Sequence, residues 1–325
     1  MRVGDESYEH LPNDRTTRFP LRLPSRPAAR NPQTAMLNDA HCHFFSSRFL
    51  ELTAPDGGGA DAIASRLQWD PPGTPTELGD RWIAELNRQG VGHAALIASA
   101  PGDAISVAEA VAHHPHRFVG FFMHNPLGLD SEAALERAFG ELHMRAVCLF
   151  PAMHGYRPDD ERVEAVFRSA SEHGAAVFVH CGVLTVGIRK KLGLPSRFDL
   201  RLGDPLAVSR MALGFPQVPV IIPHFGAGYF REALMAADQC PTIHFDTSSS
   251  NGWMRFHDSL TLERVFRAAL AVTGPSRLLF GTDSSFFPRG WHRPVYDEQQ
   301  RATASLSAGD KAAIFGGNFE RLFPD

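Results

Sequence analysis

The chain has 325 residues, 43% of them hydrophobic and 21% charged, with a formal net charge of −4. These values describe an ordinary globular protein, large enough to build its core without disulfide staples. They argue against a nucleic-acid partner, and no apolar run reaches the roughly 18 residues of a membrane span. The four cysteines, Cys42, Cys148, Cys181 and Cys240, lie far apart with no C-x-x-C pair, which predicts reduced thiols and a cytoplasmic location.

Residues 1–35 are rich in Pro and Arg and poor in apolar residues. They lack the apolar stretch of a secretory signal, and their acidic residues argue against a transit peptide. The expectation is a disordered or extended N-terminal tail over 1–35 and one domain over 36–325, with Met36 a candidate natural start.

From Met36 the chain alternates between apolar runs and amphipathic stretches. Strands are predicted at "MLNDAHCHF" (36–44), "GHAALIAS" (92–99), "RFVGFFMHN" (117–125) and "RAVCLFP" (145–151). Four more follow at "AAVFVHCG" (175–182), "VPVIIPHFG" (218–226), "PTIHFDTSS" (241–249) and "RLLFGTDSS" (277–285). Near-continuous apolar runs are what parallel strands covered on both faces require. Between them, "PDDERVEAVFRSASEHG" (158–174) reads as a helix. Asp159 or Asp160 is its cap, Val163, Val166 and Phe167 form one face, and Gly174 follows its end. "SEAALERAFGEL" and "TLERVFRAALAV" repeat the pattern. Eight such alternations predict a single (β/α)8 TIM barrel. A doubly wound open sheet is the runner-up, weakened because no G-x-G-x-x-G follows the first strand.

Polar residues cluster at the strand ends. His41 and His43 close the first strand, His180 the fifth, His224 the sixth and Asp283 the eighth. Residues i and i+2 of a strand share a face about 6.5 Å apart, so His41 and His43 can converge on one ion. An isolated His-x-His is more often a pair of solvated residues. Four histidines and an aspartate brought to one end of a barrel would instead carry a heavy desolvation cost unless a divalent cation sat among them. The same alternation turns Cys42 and Cys181 outward, as packing residues rather than ligands.

The ordered set "DAHCH", "VFVHCG", "VIIPHFG", "LLFGTDSS" and "AIFGGNFERLF" resembles the amidohydrolase-related family of the metal-dependent hydrolase superfamily, in its aminocarboxymuconate-semialdehyde decarboxylase-like branch. The resemblance runs from about Met36 to Phe323 and implies a barrel with its metal at the carboxyl ends of the strands. It also implies His41, His43, His180 and Asp283 as metal ligands, with His224 left free as a catalytic group beside Asp283. One departure matters. Binuclear members carry a bridging lysine after strand 4, whereas here that strand reads "RAVCLFPAMHG" and the lysines are Lys190, Lys191 and Lys311. One divalent ion is therefore expected. Zn²⁺ suits the donors best, and Mn²⁺, Fe²⁺ or Co²⁺ would also fit.

A cation in such a shell lowers the pKa of a bound water towards about 7, with His224 and Asp283 handling protons. That chemistry serves hydrolysis of a small ester, lactone or amide. It also serves the alternative, non-oxidative decarboxylation of an unsaturated or aromatic acid by a carboxy-lyase. The segments "FGAGYFREAL" and "DTSSSNGWMRFH" favour hydrolysis. Substrate contacts are expected from His154, Arg189, Tyr229, Trp253, Arg255 and Arg289, with His124, Asn125 and Trp291 as further loop candidates. The arginines suit a carboxylate-bearing small molecule. A homo-oligomer stays open. A non-catalytic binding protein would be expected to lose ligands that this chain keeps, and long apolar surface helices that would favour a scaffold are lacking.

Overall fold

The computed structural model describes residues 36–248 and 251–324. The expected tail, 1–35, and Ser249 and Ser250 within "DTSSSNGWMRFH" lie outside the described residues. The eight strands are β1 (Leu37–Phe44), β2 (Val91–Ala98), β3 (Phe118–His124), β4 (Ala146–Leu149), β5 (Ala176–Val179), β6 (Val220–Ile222), β7 (Ile243–Asp246) and β8 (Leu278–Leu279). Each pairs in parallel with the next in chain order. Backbone hydrogen bonds from Ala40 to Phe280, Asp283 to His41 and His43 to Ser284, at 2.8, 3.0 and 2.7 Å, join the segment following β8 to β1 and complete the ring. This is the (β/α)8 barrel.

Local chemistry sets the helices of the outer layer. In Glu161–Glu172, Asp160 accepts a hydrogen bond from the Arg162 N–H at the amino end, and Val163, Val166, Phe167 and Ala170 are buried. Gly174 then takes φ 60°, a left-handed turn that glycine adopts without penalty. Thr74 and Glu77 form a reciprocal cap on Pro75–Gln89. "SEAALERAFGEL" differs from a plain α-helix. It runs as Ser131–Glu136 and then widens to a π-turn over Arg137–Glu141, with Leu135, Ala138 and Phe139 all buried. Among the described residues, no helix is long and apolar enough to cross a membrane.

Two cores result. Ile97, Phe121, Cys148, Phe178 and Ile221 fill the barrel interior, and Phe319 and Phe323 of the carboxyl-terminal segment join them. Cys42 and Cys181 belong to the layer between sheet and helices, as alternation required.

β1 is not regular. Asp39 pairs with Ala94 and Cys42 with Leu96, so three steps on β1 span two on β2. Ala40 consequently lies in the inner core and Cys42 in the outer one, although strict alternation would place both on one face. The extra residue turns His41 inward, and His43 follows two residues later.

Candidate metal centre and active site

His41 and His43 of β1 meet Asp283, four residues past β8, at the carboxyl ends of the strands. The two Nε2 atoms are 3.2 Å apart. Asp283 Oδ1 lies 3.0 Å from His43 Nε2 and 3.5 Å from His41 Nε2. His180, directly after β5, and His224, two residues after β6, complete the group, with ring centres 5.3 Å apart and His224 5.2 Å from His41. Both fall outside the tight cluster of three. Asp283 and His224 adopt φ 59° and 55°, a left-handed conformation that side chains other than glycine seldom take. Such strain collects where a site needs a side chain aimed against its backbone preference. Beyond β4, where a bridging lysine would stand, Phe150 stacks on the His180 ring at 5.3 Å.

Hydrogen bonds fix the protons. Asp246 Oδ2, buried at the end of β7, lies 2.5 Å from His41 Nδ1. A carboxylate only accepts, so Nδ1 donates and Nε2 of the neutral ring keeps its lone pair. His43 Nδ1 lies 2.7 Å from Ser99 Oγ, whose own hydrogen goes to the Ile97 carbonyl at 3.0 Å. His43 Nε2 is therefore also a lone pair. With both rings neutral, two lone pairs and a carboxylate oxygen thus converge at 3.0–3.5 Å. Ligands of a tetrahedral ion with 2.0–2.1 Å bonds lie about 3.3 Å from one another. The donor set fits a divalent cation. His180 Nδ1, buried without a hydrogen-bond partner among the described residues, leaves that ring free to turn toward it.

The electrostatics agree. Burial disfavours a charged His41, but Asp246, then Asp283 and Asp39, outweigh it and raise its pKa to about 9 in the metal-free protein. Burial holds His180 and His224 neutral by lowering theirs. Burial also pushes Asp283 up, but the adjoining histidines, His43 first and then His41, outweigh it and keep the carboxylate ionised. A single proton on His41 therefore stands in for positive charge that the site demands.

Asp246, Ser99 and Ser248 were not singled out by the sequence. Ser248 Oγ donates to Asp246 Oδ2 at 3.0 Å and so accepts from His224 Nδ1 at 2.9 Å; the Ser248 carbonyl lies 3.2 Å from the same nitrogen. His224 Nε2 is left unprotonated. A second buried carboxylate, Asp39, accepts from the His41 amide at 2.9 Å and from Trp291 Nε1 at 2.6 Å. It also accepts from the Thr282 amide and hydroxyl at 3.1 and 2.5 Å, fastening β1 to the segment that carries Asp283.

The five expected residues open onto a cavity of about 750 Å³. Phe45, Phe49, Trp69, Phe150, Trp253 and Phe287 form much of its wall, and Lys191, Arg255 and Arg289 bring positive charge to it. Phe45 stacks on Phe49 at 4.3 Å, and Trp69 stacks on Phe287 at 5.2 Å, which makes that side aromatic and tightly packed. Of the expected substrate contacts, Trp253, Arg255 and Arg289 line the cavity, whereas His154, Arg189 and Tyr229 do not. Arg189 donates to the Pro195 carbonyl at 2.8 and 3.2 Å and so fastens its own loop. Tyr229 caps the helix Phe230–Gln239, and His154 ends a short helix beside Tyr156. His124, Asn125 and Trp291 also lie off the cavity; His124 pairs with Ser131 at 2.9 Å.

The amidohydrolase family matches residues 39–324. No curated protein matches the chain. Solved structures that resemble it include 5-carboxyvanillate decarboxylase from Sphingomonas paucimobilis, at 18% identity and a TM-score of 0.60, covering 89% of this chain and 99% of that one. Dihydroxybenzoic acid decarboxylase from a Polaromonas species, with bound manganese and the inhibitor 2-nitroresorcinol, gives 18% identity, a TM-score of 0.61 and coverage of 89% and 97%. A probable 2-pyrone-4,6-dicarboxylic acid hydrolase from Acinetobacter baumannii, with citric acid bound, gives 12%, 0.61, 89% and 100%. At these identities the likeness is one of fold. The family match covers almost the whole barrel and every strand-end residue of the site, and the chain belongs to the amidohydrolase family, as a metal-dependent enzyme of that superfamily.

Proposed function

We propose that the protein removes CO₂ from a small planar carboxylate, aromatic or unsaturated, with one divalent ion held by His41, His43, His180 and Asp283. The observation that carries this reading is the stacked aromatic series Phe49, Phe45, Trp69 and Phe287 lining the same cavity as the histidines. A divalent ion held there supplies a Lewis acid that orients and polarises the substrate carboxylate. The donor chemistry suits Zn²⁺, and manganese in the Polaromonas decarboxylase makes Mn²⁺ an equal candidate.

The protein's own groups do the rest. The apolar wall favours the step in which a charged carboxylate becomes neutral CO₂. The carbon–carbon bond breaks, its electron pair stays on the ring or alkene carbon, and one proton is added there. Asp283 and His224 both face the cavity without a proton there and can take one from solvent and pass it to that carbon. Arg255 and Arg289 draw the anion in and suit a further acidic or phenolic oxygen.

Hydrolysis is the second reading. It is the reaction favoured by the sequence around β6 and β7, and the unprotonated Nε2 of His224 supports it as a general base. The test is turnover of a mixed panel of aryl and unsaturated carboxylates, lactones, esters and amides by the metal-reconstituted protein. CO₂ release with deuterium on the product carbon in D₂O is expected. Incorporation of ¹⁸O from labelled water with no CO₂ would establish hydrolysis in its place.

A further inference from the structure

We propose a second divalent-metal site, on the outer helical layer, made by Asp80, His113 and His114. Asp80 belongs to the helix Pro75–Gln89, His113 ends the helix Ala104–His113, and His114 follows as its cap. Consecutive residues on a helix point about 100° apart, so adjacent histidines do not normally share a ligand. Here His114 leaves helical geometry, at φ −130° and ψ 61°, and its ring comes to lie 4.5 Å from that of His113. Phe118, edge-on at 5.7 Å, backs it.

The aspartate arrives through close packing of the two helices. Gly79 faces Ala110 and the His114 ring, where even a Cβ would make only ordinary contacts of 3.4 and 3.7 Å, and the next residue is thereby delivered to the histidines. Asp80 Oδ1 is 3.2 Å from His113 Nε2 and 2.7 Å from His114 Nε2. The first distance already matches the roughly 3.3 Å edge of a tetrahedral zinc shell; the second must open by about half an ångström. Partly exposed side chains can make that adjustment. Neither Nδ1 has a protein partner among the described residues, so each ring can hold its proton there and present Nε2 as a lone pair. The carbonyl end of the helix Ala104–His113 adds a potential that favours a cation. Two imidazoles and one carboxylate, with solvent completing the shell, select a borderline ion such as Zn²⁺, Ni²⁺ or Cu²⁺. The bound ion clamps the two helices together.

The test uses the full-length protein, desalted so that it keeps its tightly held ion, then titrated with ZnCl₂ by calorimetry while Tm is followed in parallel. One further ion per chain and a rise in Tm are expected. Both should vanish in His113→Ala/His114→Ala, with turnover and the tightly held ion unchanged. Asp80→Asn should weaken the added ion by more than the roughly 10–100-fold typical of a residue that only supports a ligand. No second ion in the unaltered protein would show that the three side chains are merely hydrogen-bonded to one another, and would overturn the proposal. So would a second ion that survives loss of both histidines.

Discussion

Replacing Asp246 by Asn should weaken metal binding strongly at high pH and hardly at all near neutrality. The carboxylate does two opposing things. It fixes His41 with Nε2 as a lone pair, and it raises the His41 pKa to about 9, so that a proton competes for that lone pair. At pH 7 the competition lowers apparent affinity by about 100-fold. Apparent affinity in the unaltered protein should therefore rise about tenfold per pH unit up to about 9, with one proton released per ion. In Asp246→Asn, the Ser248 amide that donates to Oδ1 at 2.7 Å would take the amide oxygen, leaving the NH₂ to face His41 Nδ1. Nδ1 would then accept, and the ring proton would move to Nε2. Loss of such an orienting partner costs roughly 10–100-fold in limiting affinity. It also removes the proton competition, because a buried His41 without its counter-ion titrates low. The two effects nearly cancel at pH 7 and separate at pH 9, where the variant should bind roughly 10–100-fold more weakly. Competition with a chromophoric chelator from pH 6.5 to 9.5 measures both curves. Parallel curves would refute the coupling of Asp246 to His41. The same linkage affects folding: the His41–Asp246 pair stabilises the metal-free protein fully below about pH 6.5, and this contribution is lost as pH rises through about 9.

Three further outcomes follow from the same geometry. The desalted protein should hold one tightly bound ion per chain, removed by alanine at His41, His43, His180 or Asp283; two tightly bound ions persisting in His113→Ala/His114→Ala would contradict a mononuclear centre. His224→Asn should keep that ion while turnover falls by roughly 10²–10⁴, the usual contribution of a positioned acid or base, and loss of the metal would make His224 a ligand. A Cβ on Gly281 would lie 2.5 Å from Asp246 Oδ1 and 3.0 Å from the His41 Cβ. Gly281→Ala should therefore destabilise the fold by about 1–3 kcal/mol and weaken metal binding, and an unchanged Tm would show that the strands relax around it.

Much of the fold was legible because a parallel strand covered on both faces is written as an apolar run. Seven of the eight strands fall within their predicted segments, and β2 begins one residue early, at Val91. The observed lengths shrink where a run ends in residues that must turn. β6 stops at Ile222 and β8 at Leu279, and the left-handed His224, Phe225 and Asp283 follow them. Those turns point the functional groups into the cavity, and they are invisible to an apolar pattern. The pairing of His41 with His43 and its face were legible, with Cys42 turned outward, but the backbone step that achieves this was not. From Ala40, strict alternation sends His41 into the helix layer, and the irregular step against β2 brings it inside. Loop residues fared less evenly. Arg189 and Lys191 stand two apart in the helix Gly187–Lys191, yet Lys191 reaches the cavity while Arg189 turns to Pro195. That choice is made by a carbonyl six residues downstream, a contact that exists only once the loop has closed.

Asp246 is the most instructive omission. It ends an apolar strand run, as His224 and Asp283 follow theirs, and carries a group that binds metal as readily as any aspartate. Position and residue type alone would have made it a ligand. Its oxygens are already engaged, Oδ1 by the Ser248 amide and Oδ2 by His41 Nδ1 and the Ser248 hydroxyl. Asp283 instead turns its Oδ1 to the bare Nε2 atoms of His41 and His43. In the proposed centre, the difference between a carboxylate that would hold the ion and one that would hold a ligand thus lies in which nitrogen of His41 each one faces. Nδ1 facing Asp246 makes Nε2 a lone pair, and that lone pair makes Asp283 a neighbour the site can tolerate only with positive charge between them.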